Sequence, residues 1–172
     1  MRYKSITAMY TLFALFVGAA IASAAGIQGA GSFLFSFGEV TLEQKEARQQ
    51  AVSIHKYDPS QGEILKIIDM KTVPEEIRPG QAAKIEITYL LISPAERNDR
   101  VKGNLVIRWE REMMGRAEIH NNTGNGTYVM AVPLYFYPKG YNARYGGYEI
   151  VMELESGALR DRGETVLKIN EI

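Results

Sequence analysis

The stretch Ala83-Lys84-Ile85-Glu86-Ile87-Thr88-Tyr89-Leu90-Leu91 carries the clearest pattern in this chain. On an extended backbone Ala83, Ile85, Ile87, Tyr89 and Leu91 point one way, while Lys84, Glu86 and Thr88 point the other. A period of two is that of a strand with one face in a core and the other in water. Upstream, the turn Arg78-Pro79-Gly80-Gln81 launches this strand, and an earlier one is expected from Ile64 to Met70, ended by Thr72-Val73-Pro74. Downstream, a polar loop from Pro94 to Arg100 leads to Leu105, Ile107 and Trp109 inward, alternating with Val106, Arg108 and Glu110 outward. A shorter strand follows from Met113 to His120, then a turn in Asn121-Asn122-Thr123-Gly124-Asn125-Gly126, then Tyr128, Met130 and Val132 inward. The last pair is Tyr148, Ile150, Met152 and Leu154, and, after a turn at Arg160-Asp161-Arg162-Gly163, Val166 to Ile169. Beyond Glu63 no window repeats every 3.6 residues over three turns, so an all-β fold is expected.

About seven short strands separated by turn signals fit a two-sheet antiparallel sandwich over residues 63–172. The lead Val73-Pro74 then Ile77-Arg78-Pro79-Gly80, the single Trp109, and the strand starts Gly126-Thr127-Tyr128 and Gly147-Tyr148 together resemble the immunoglobulin-like superfamily, in the divergent form of exported bacterial modules. That resemblance implies one immunoglobulin-like β-sandwich. The chain has no cysteine, so it departs from antibody-type domains, which carry a buried cysteine pair. The fold hosts many unrelated functions and supplies no role by itself.

The N-terminal region sets the expected compartment. Arg2 and Lys4 precede a stretch with no charge before Glu39, most apolar from Ala8 to Ile21. Basic, apolar, then small-x-small at Ala22-Ser23-Ala24 is the order of a secretory signal, with residues 1–24 as signal peptide or signal anchor. The mature chain would then carry a charge near minus two. The glycine-rich apolar segment 25–38 extends the weakly polar run far enough to serve instead as an uncleaved membrane tether. On a helix Gly18, Ala22, Gly26 and Ala30 fall on one face, a glycine-zipper-like spacing through which membrane helices pack closely. With the basic end held inside, either case exports the remainder to the periplasm or cell surface. Residues 39–62 are expected to form a helical connector and turn. Thr41 and Gln44 would cap a short exposed helix to about Val52, and Lys56-Tyr57-Asp58-Pro59-Ser60-Gln61-Gly62 supplies the turn.

Positive and negative side chains balance, and no block of five like charges occurs, so no nucleic-acid partner is expected. Without cysteine there is no thiolate metal site or cysteine nucleophile. His55 and His120 stand apart, and no metal-ligand spacing, phosphate loop, nucleotide fingerprint or hydrolase motif is present, so no cofactor is expected. Glu149, Glu153 and Glu155 share a strand face, the one arrangement on which an envelope-glycan hydrolase could be built. Three like charges on an outer face more commonly meet cations of neighbouring strands or discourage edge pairing. Asn121-Asn122-Thr123 and Asn125-Gly126-Thr127 both fit the glycosylation pattern, yet asparagine and glycine also have a backbone reason to sit in a turn.

Half of the chain's tyrosines lie between Pro133 and Tyr148. Tyr135, Tyr137, Tyr141 and Tyr145, with Lys139 and Arg144 among them and glycines at 140, 146 and 147, are expected to form a surface binding loop. Tyrosine offers a large, stiff contact with a polar tip, suited to protein or sugar. The competing use of such rings is to close the open end of the sandwich. The sequence thus points to an exported, non-catalytic interaction or structural module of the cell envelope, whose partner is a protein or glycan. The alternatives are a glycan hydrolase and a membrane-anchored subunit that oligomerises through its glycine-rich helix.

Overall fold

The computed structural model describes residues 34–137 and 144–171, together with the backbone of Ala20–Ala22 and Ala24–Ala25. Among the described residues the chain is almost entirely strand: β1 Ala20–Ala22, β2 Ala24–Ala25, β3 Phe35–Phe37, β4 Val40–Ala47, β5 Ile64–Val73, β6 Glu76–Ile77, β7 Ala82–Ile92, β8 Asp99–Trp109, β9 Glu112–Thr123, β10 Gly126–Phe136, β11 Gly146–Ser156 and β12 Leu159–Ile169. One helix, α1 Arg48–Ile54, and a 3₁₀ turn at Pro59–Gln61 interrupt them. The strands form two sheets in a sandwich-like arrangement. The first has the order β1-β4-β10-β7-β5, with β3 also on β10, and the second β2-β9-β8-β11-β12-β6. All pairings are antiparallel except the short β12–β6 contact.

The alternation in the sequence becomes a single core between the sheets. From β7 it takes Ala83, Ile85, Ile87, Tyr89 and Leu91, from β8 Leu105 and Ile107, from β10 Tyr128, Met130 and Val132, and from β11 Tyr148, Ile150, Met152 and Leu154. Removing this much apolar surface from water is the main favourable term in folding. At one seam β5 and β12 meet, where a bulge between Ile67 and Asp69 disturbs the β5–β7 register. There the Ile67 N–H donates to Asp161 Oδ2 at 2.6 Å, and Thr72 Oγ1 donates to the Val166 carbonyl at 3.2 Å. At the other seam the backbone of Ala20–Ala22 pairs with β4, and that of Ala24–Ala25 with β9.

Several expectations are corrected. Thr41 and Gln44 do not cap a helix: Val40–Ala47 is a strand paired with β10, and α1 begins only at Arg48, where the Gln50 side chain accepts from the Ala47 N–H. Val40 and Leu42 are two apart and both reach the core, so tertiary burial overrides the helix propensity of the glutamates and lysine that follow. The supposed connector thus contributes a strand to the first sheet. The turn assigned to Asn121–Gly126 shrinks to Gly124 and Asn125, because β9 continues through Thr123. Arg160–Gly163 is strand, and the turn lies at Gly157 and Ala158, with Gly157 at φ +59°. Trp109 is only half-buried against the core. The residue inserted by the bulge in the β8–β9 ladder is Met114 on β9, so Trp109 keeps the inward parity of Leu105 and Ile107 and packs on the core at the end of the hairpin.

Gly18, Gly26 and Ala30 of the small-residue face lie outside the described residues, as does most of the apolar N-terminal helix to which they were assigned; the fourth, Ala22, has the backbone of strand β1, opposite Val40. Among the described residues no helix is long and apolar enough to cross a membrane.

Candidate interaction surface

The tyrosine-rich segment divides by parity. Pro133 does not end a strand; β10 runs through it to Phe136, so Leu134 and Phe136 continue the inward row and are fully buried. Tyr135 and Tyr137 therefore project from the opposite, outer face of the first sheet, 37% and 55% exposed. Proline is tolerated here because the Pro133 carbonyl accepts from the Gly38 N–H at 2.9 Å. The missing proline N–H lies on that same side, at the gap where β4 ends and β3 begins. A Cβ on Gly38 would stand 2.9 Å from Pro133 Cβ and 3.3 Å from Tyr135 Cε2, so only glycine leaves these rings their places. The Tyr135 and Tyr137 rings lie side by side, with centroids 6.3 Å apart and planes inclined by 20°.

Tyr148 belongs to the interior. Its ring packs edge-on to Phe35 at 5.0 Å and lies 6.0 Å from Phe136, and Trp109 covers it at 4.9 Å. Its hydroxyl donates to the Arg144 carbonyl at 2.8 Å, and burial pushes its pKa up to about 12. Gly146, at φ +131°, lets Trp109 approach: a Cβ there would fall 2.7 Å from the indole Cη2. Arg144 pairs with Glu112 at 2.7 Å, and Tyr145 is exposed beside it in sequence. Of the six residues assigned to the binding loop, Tyr135 and Tyr137 come together on the first sheet, and Arg144 and Tyr145 open the second. Lys139 and Tyr141 lie outside the described residues.

The acidic row on β11 stands on the open outer face of the second sheet, interleaved with cations. Glu149 lies opposite Arg108, Glu153 opposite Arg162, and Glu155 between Lys102 and Arg160, with an Arg160–Glu155 distance of 3.3 Å. Along the strand Glu149 and Glu153 are separated by roughly 13 Å and Glu153 and Glu155 by roughly 7 Å. His55 is half-buried in a network that pins α1 to the first sheet: its Nε2 lies 3.2 Å from both Glu46 Oε2 and Thr127 Oγ1, and Thr127 donates to Glu46. Among the described residues no group of three or more His, Asp or Glu side chains is placed to hold a metal. Both asparagines of the glycosylation pattern are buried, and Asn125 holds the β7–β8 loop by donating to Ser93 Oγ at 3.0 Å and the Ala95 carbonyl at 3.1 Å.

One feature escapes the sequence: a groove of about 450 Å³ on the outer face of the second sheet, walled by Arg108, Arg111 and Arg116 with Asn104, Val106, Glu110 and Met113. These residues all lie within one hairpin, between Asn104 and Arg116, and the β8–β9 pairing brings them to one face.

No protein-family model matches the chain, and no curated protein matches it either. Among solved structures, it is similar to the Pseudomonas fluorescens alkylpurine DNA glycosylase AlkC bound to DNA containing an abasic-site analogue, at 16% identity and a TM-score of 0.41 over 62% of this chain and 30% of that one. Spo0M, a sporulation control protein of Bacillus subtilis, is similar at 13% identity and TM-score 0.36 over 62% of this chain and 49% of its own. AvmM, which catalyses macrocyclization in alchivemycin A biosynthesis, is similar at 12% identity and TM-score 0.32 over 64% and 90%. The chain thus spans a third to a half of the first two proteins, and likeness at this level carries no inference about what it does.

Proposed function

We propose that this chain is an exported, non-catalytic interaction module of the cell envelope, built on a divergent immunoglobulin-like sandwich. In this proposal it binds a protein or glycan through the aromatic surface that Tyr135 and Tyr137 begin. The observation that carries the proposal is the pair itself. Two neighbouring rings stand outside the core on a strand whose inner face is already filled by Leu134 and Phe136. Exposed aromatics of this kind are enriched where a second molecule completes the burial. The basic-then-apolar N-terminal order supports export, and the interleaved charges around Glu149, Glu153 and Glu155 favour binding over hydrolysis.

Cosedimentation with isolated envelope fractions tests the proposal. The wild-type chain should sediment with them, and Tyr135→Ser with Tyr137→Ser should remain in the supernatant while keeping the wild-type urea midpoint. Equal sedimentation of both proteins would remove the aromatic pair as the binding surface. Intact mass after expression in a bacterial host separates the two export readings: loss of residues 1–24 marks a cleaved signal, and the full mass an anchor.

A further inference from the structure

We propose that the groove at the β8–β9 hairpin is an anion site that takes a phosphate group borne on an apolar body. The sequence places Arg108 at the end of β8, Arg111 in the two-residue turn, and Arg116 on β9. Pairing does the rest. Val106 lies opposite Arg116, and Arg108 opposite Met113. The bulge between Ile107 and Arg108 adds Met114 to β9, and this reverses the inward and outward sense of the residues before it. Met113 thereby lies 48% exposed on the outer face, beside the half-buried Val106, while Met114 is buried. An apolar floor results, walled by three guanidinium groups against the single carboxylate of Glu110.

The charge of this corner is only partly cancelled: Arg116 pairs with Glu118 at 2.9 Å, and Glu149 stands across the ladder from Arg108. Elsewhere on the same sheet Arg160 pairs with Glu155, Arg162 with Glu164, and Lys168 with Glu76. At the hairpin, Glu112 is already engaged by Arg144. Arg108 and Arg111 have no carboxylate within 4 Å among the described residues. Arg116 is held in place, its Nε donating to Asn104 Oδ1 at 3.2 Å and its Nη2 to Glu118 Oε1 at 2.9 Å. Glu110 occupies the left-handed region at φ +54°, where turns ordinarily place glycine or asparagine, so the hairpin tip holds a charged residue against its backbone preference. Guanidinium groups present planar forks that match phosphate, and a phosphate has more acceptor oxygens for three of them than a carboxylate has. The groove volume falls in the range of small-ligand sites. Val106 and Met113 give the apolar body a floor. Such a phosphate could be a lipid headgroup or a soluble organic phosphate.

The test uses the full chain with two probes. In a calorimetric titration, phenyl phosphate should bind about tenfold more tightly than inorganic phosphate, and binding should weaken as salt rises. Arg108→Gln with Arg111→Gln should weaken it by about tenfold or more, and Met113→Gln should erase the preference over inorganic phosphate. In the second arm, vesicles of phosphatidylglycerol should retain more wild-type protein than vesicles of phosphatidylcholine if the phosphate belongs to a lipid. The arginine variant should then lose that difference. Binding of phenyl phosphate without a vesicle difference assigns the site to a soluble phosphate, and a vesicle difference alone assigns it to a lipid. The proposal fails if neither probe binds, if the arginine variant binds as the wild type does, or if inorganic phosphate binds as tightly as phenyl phosphate.

Discussion

β7 and β11 run through the interior of their respective sheets, and their inner faces are alike. β7 gives the core Ile85, Ile87, Tyr89 and Leu91, and β11 gives it Tyr148, Ile150, Met152 and Leu154. Their outer faces differ. At the end of β7, Leu90 and Ile92 are buried on the outside, under Ala51 and Tyr57, in a second small cluster that α1 and the segment after it close over. Tyr57 fixes that cover by donating its hydroxyl to the Gly62 carbonyl at 2.7 Å. On β11 the outer positions are Glu149, Val151, Glu153 and Glu155, and among the described residues no element covers them. Val151 is nonetheless buried, between Val106 and Glu164 of the two neighbouring strands. Among the described residues, only the outer face of β7 gains a packed layer from an element of the fold.

The inner faces should respond equally. Ile87→Ala on β7 and Ile150→Ala on β11 should each cost about 2–5 kcal/mol, the range for emptying a packed site, measured by urea denaturation. A cost below about 1 kcal/mol at either position would mean that its strand does not bury that face in the shared core. The outer faces should separate. Ile92→Ala should cost about 2–4 kcal/mol, because its side chain is as buried as any inner one, whereas Glu153→Ala should stay within about 0.5 kcal/mol. If Ile92→Ala is as mild as Glu153→Ala, α1 does not pack on the sheet in solution.

Trp109 lies between these cases. Half-buried over Tyr148 and Gly146, it should lose about 2 kcal/mol on change to alanine, less than the 3–5 kcal/mol of a fully enclosed aromatic. Native emission should sit between the buried and solvated limits and move further to the red on unfolding. A fully blue-shifted native emission would show that the indole is enclosed and that this end of the sandwich is closed over Tyr148.

How far these outcomes follow from sequence depends on the physics behind each residue. The inner row Ala83, Ile85, Ile87, Tyr89 and Leu91 is legible because burial on one face of a pleated strand imposes a period of two, and the same holds for Tyr148 to Leu154. Leu90 and Ile92 break that period; their burial depends on α1, whose position comes from packing. The start of β4 was hidden by its composition. Thr41, Glu43, Gln44, Lys45 and Glu46 read as helix or solvent, and only Val40 and Leu42, two apart, hint at a strand. The inward side of Trp109 follows the alternation of β8, whereas the arginine groove depends on a bulge, which inserts one residue into β9 and leaves no composition signal. The division of the tyrosine segment was within reach, since Met130, Val132, Leu134 and Phe136 keep one parity straight through Pro133. Reading Tyr135 and Tyr137 as part of a surface loop left that parity unused.

The smallest stability effect is expected at Tyr137, and it bears most directly on which outer face meets a partner. The Tyr137 N–H donates to the Leu34 carbonyl at 2.9 Å, and that backbone bond survives any side-chain change except proline. The ring itself is more than half exposed, and its one aromatic neighbour among the described residues, Tyr135, is also in the open. Tyr137→Ser therefore removes little buried area and should shift stability by no more than about 0.5 kcal/mol, as solvent-facing substitutions do. Phe136→Ser, one residue earlier and facing the core against Phe35 at 5.1 Å, should instead unfold much of the population, because it both empties a packed site and buries a hydroxyl. The contrast between adjacent residues tests the parity of β10 beyond Pro133 without knowledge of any partner. If Tyr137→Ser costs as much as Phe136→Ser, the strand ends at Pro133 and both rings close the sandwich. If Tyr137→Ser is silent in urea, the ring is free to serve the surface on which the proposed binding rests.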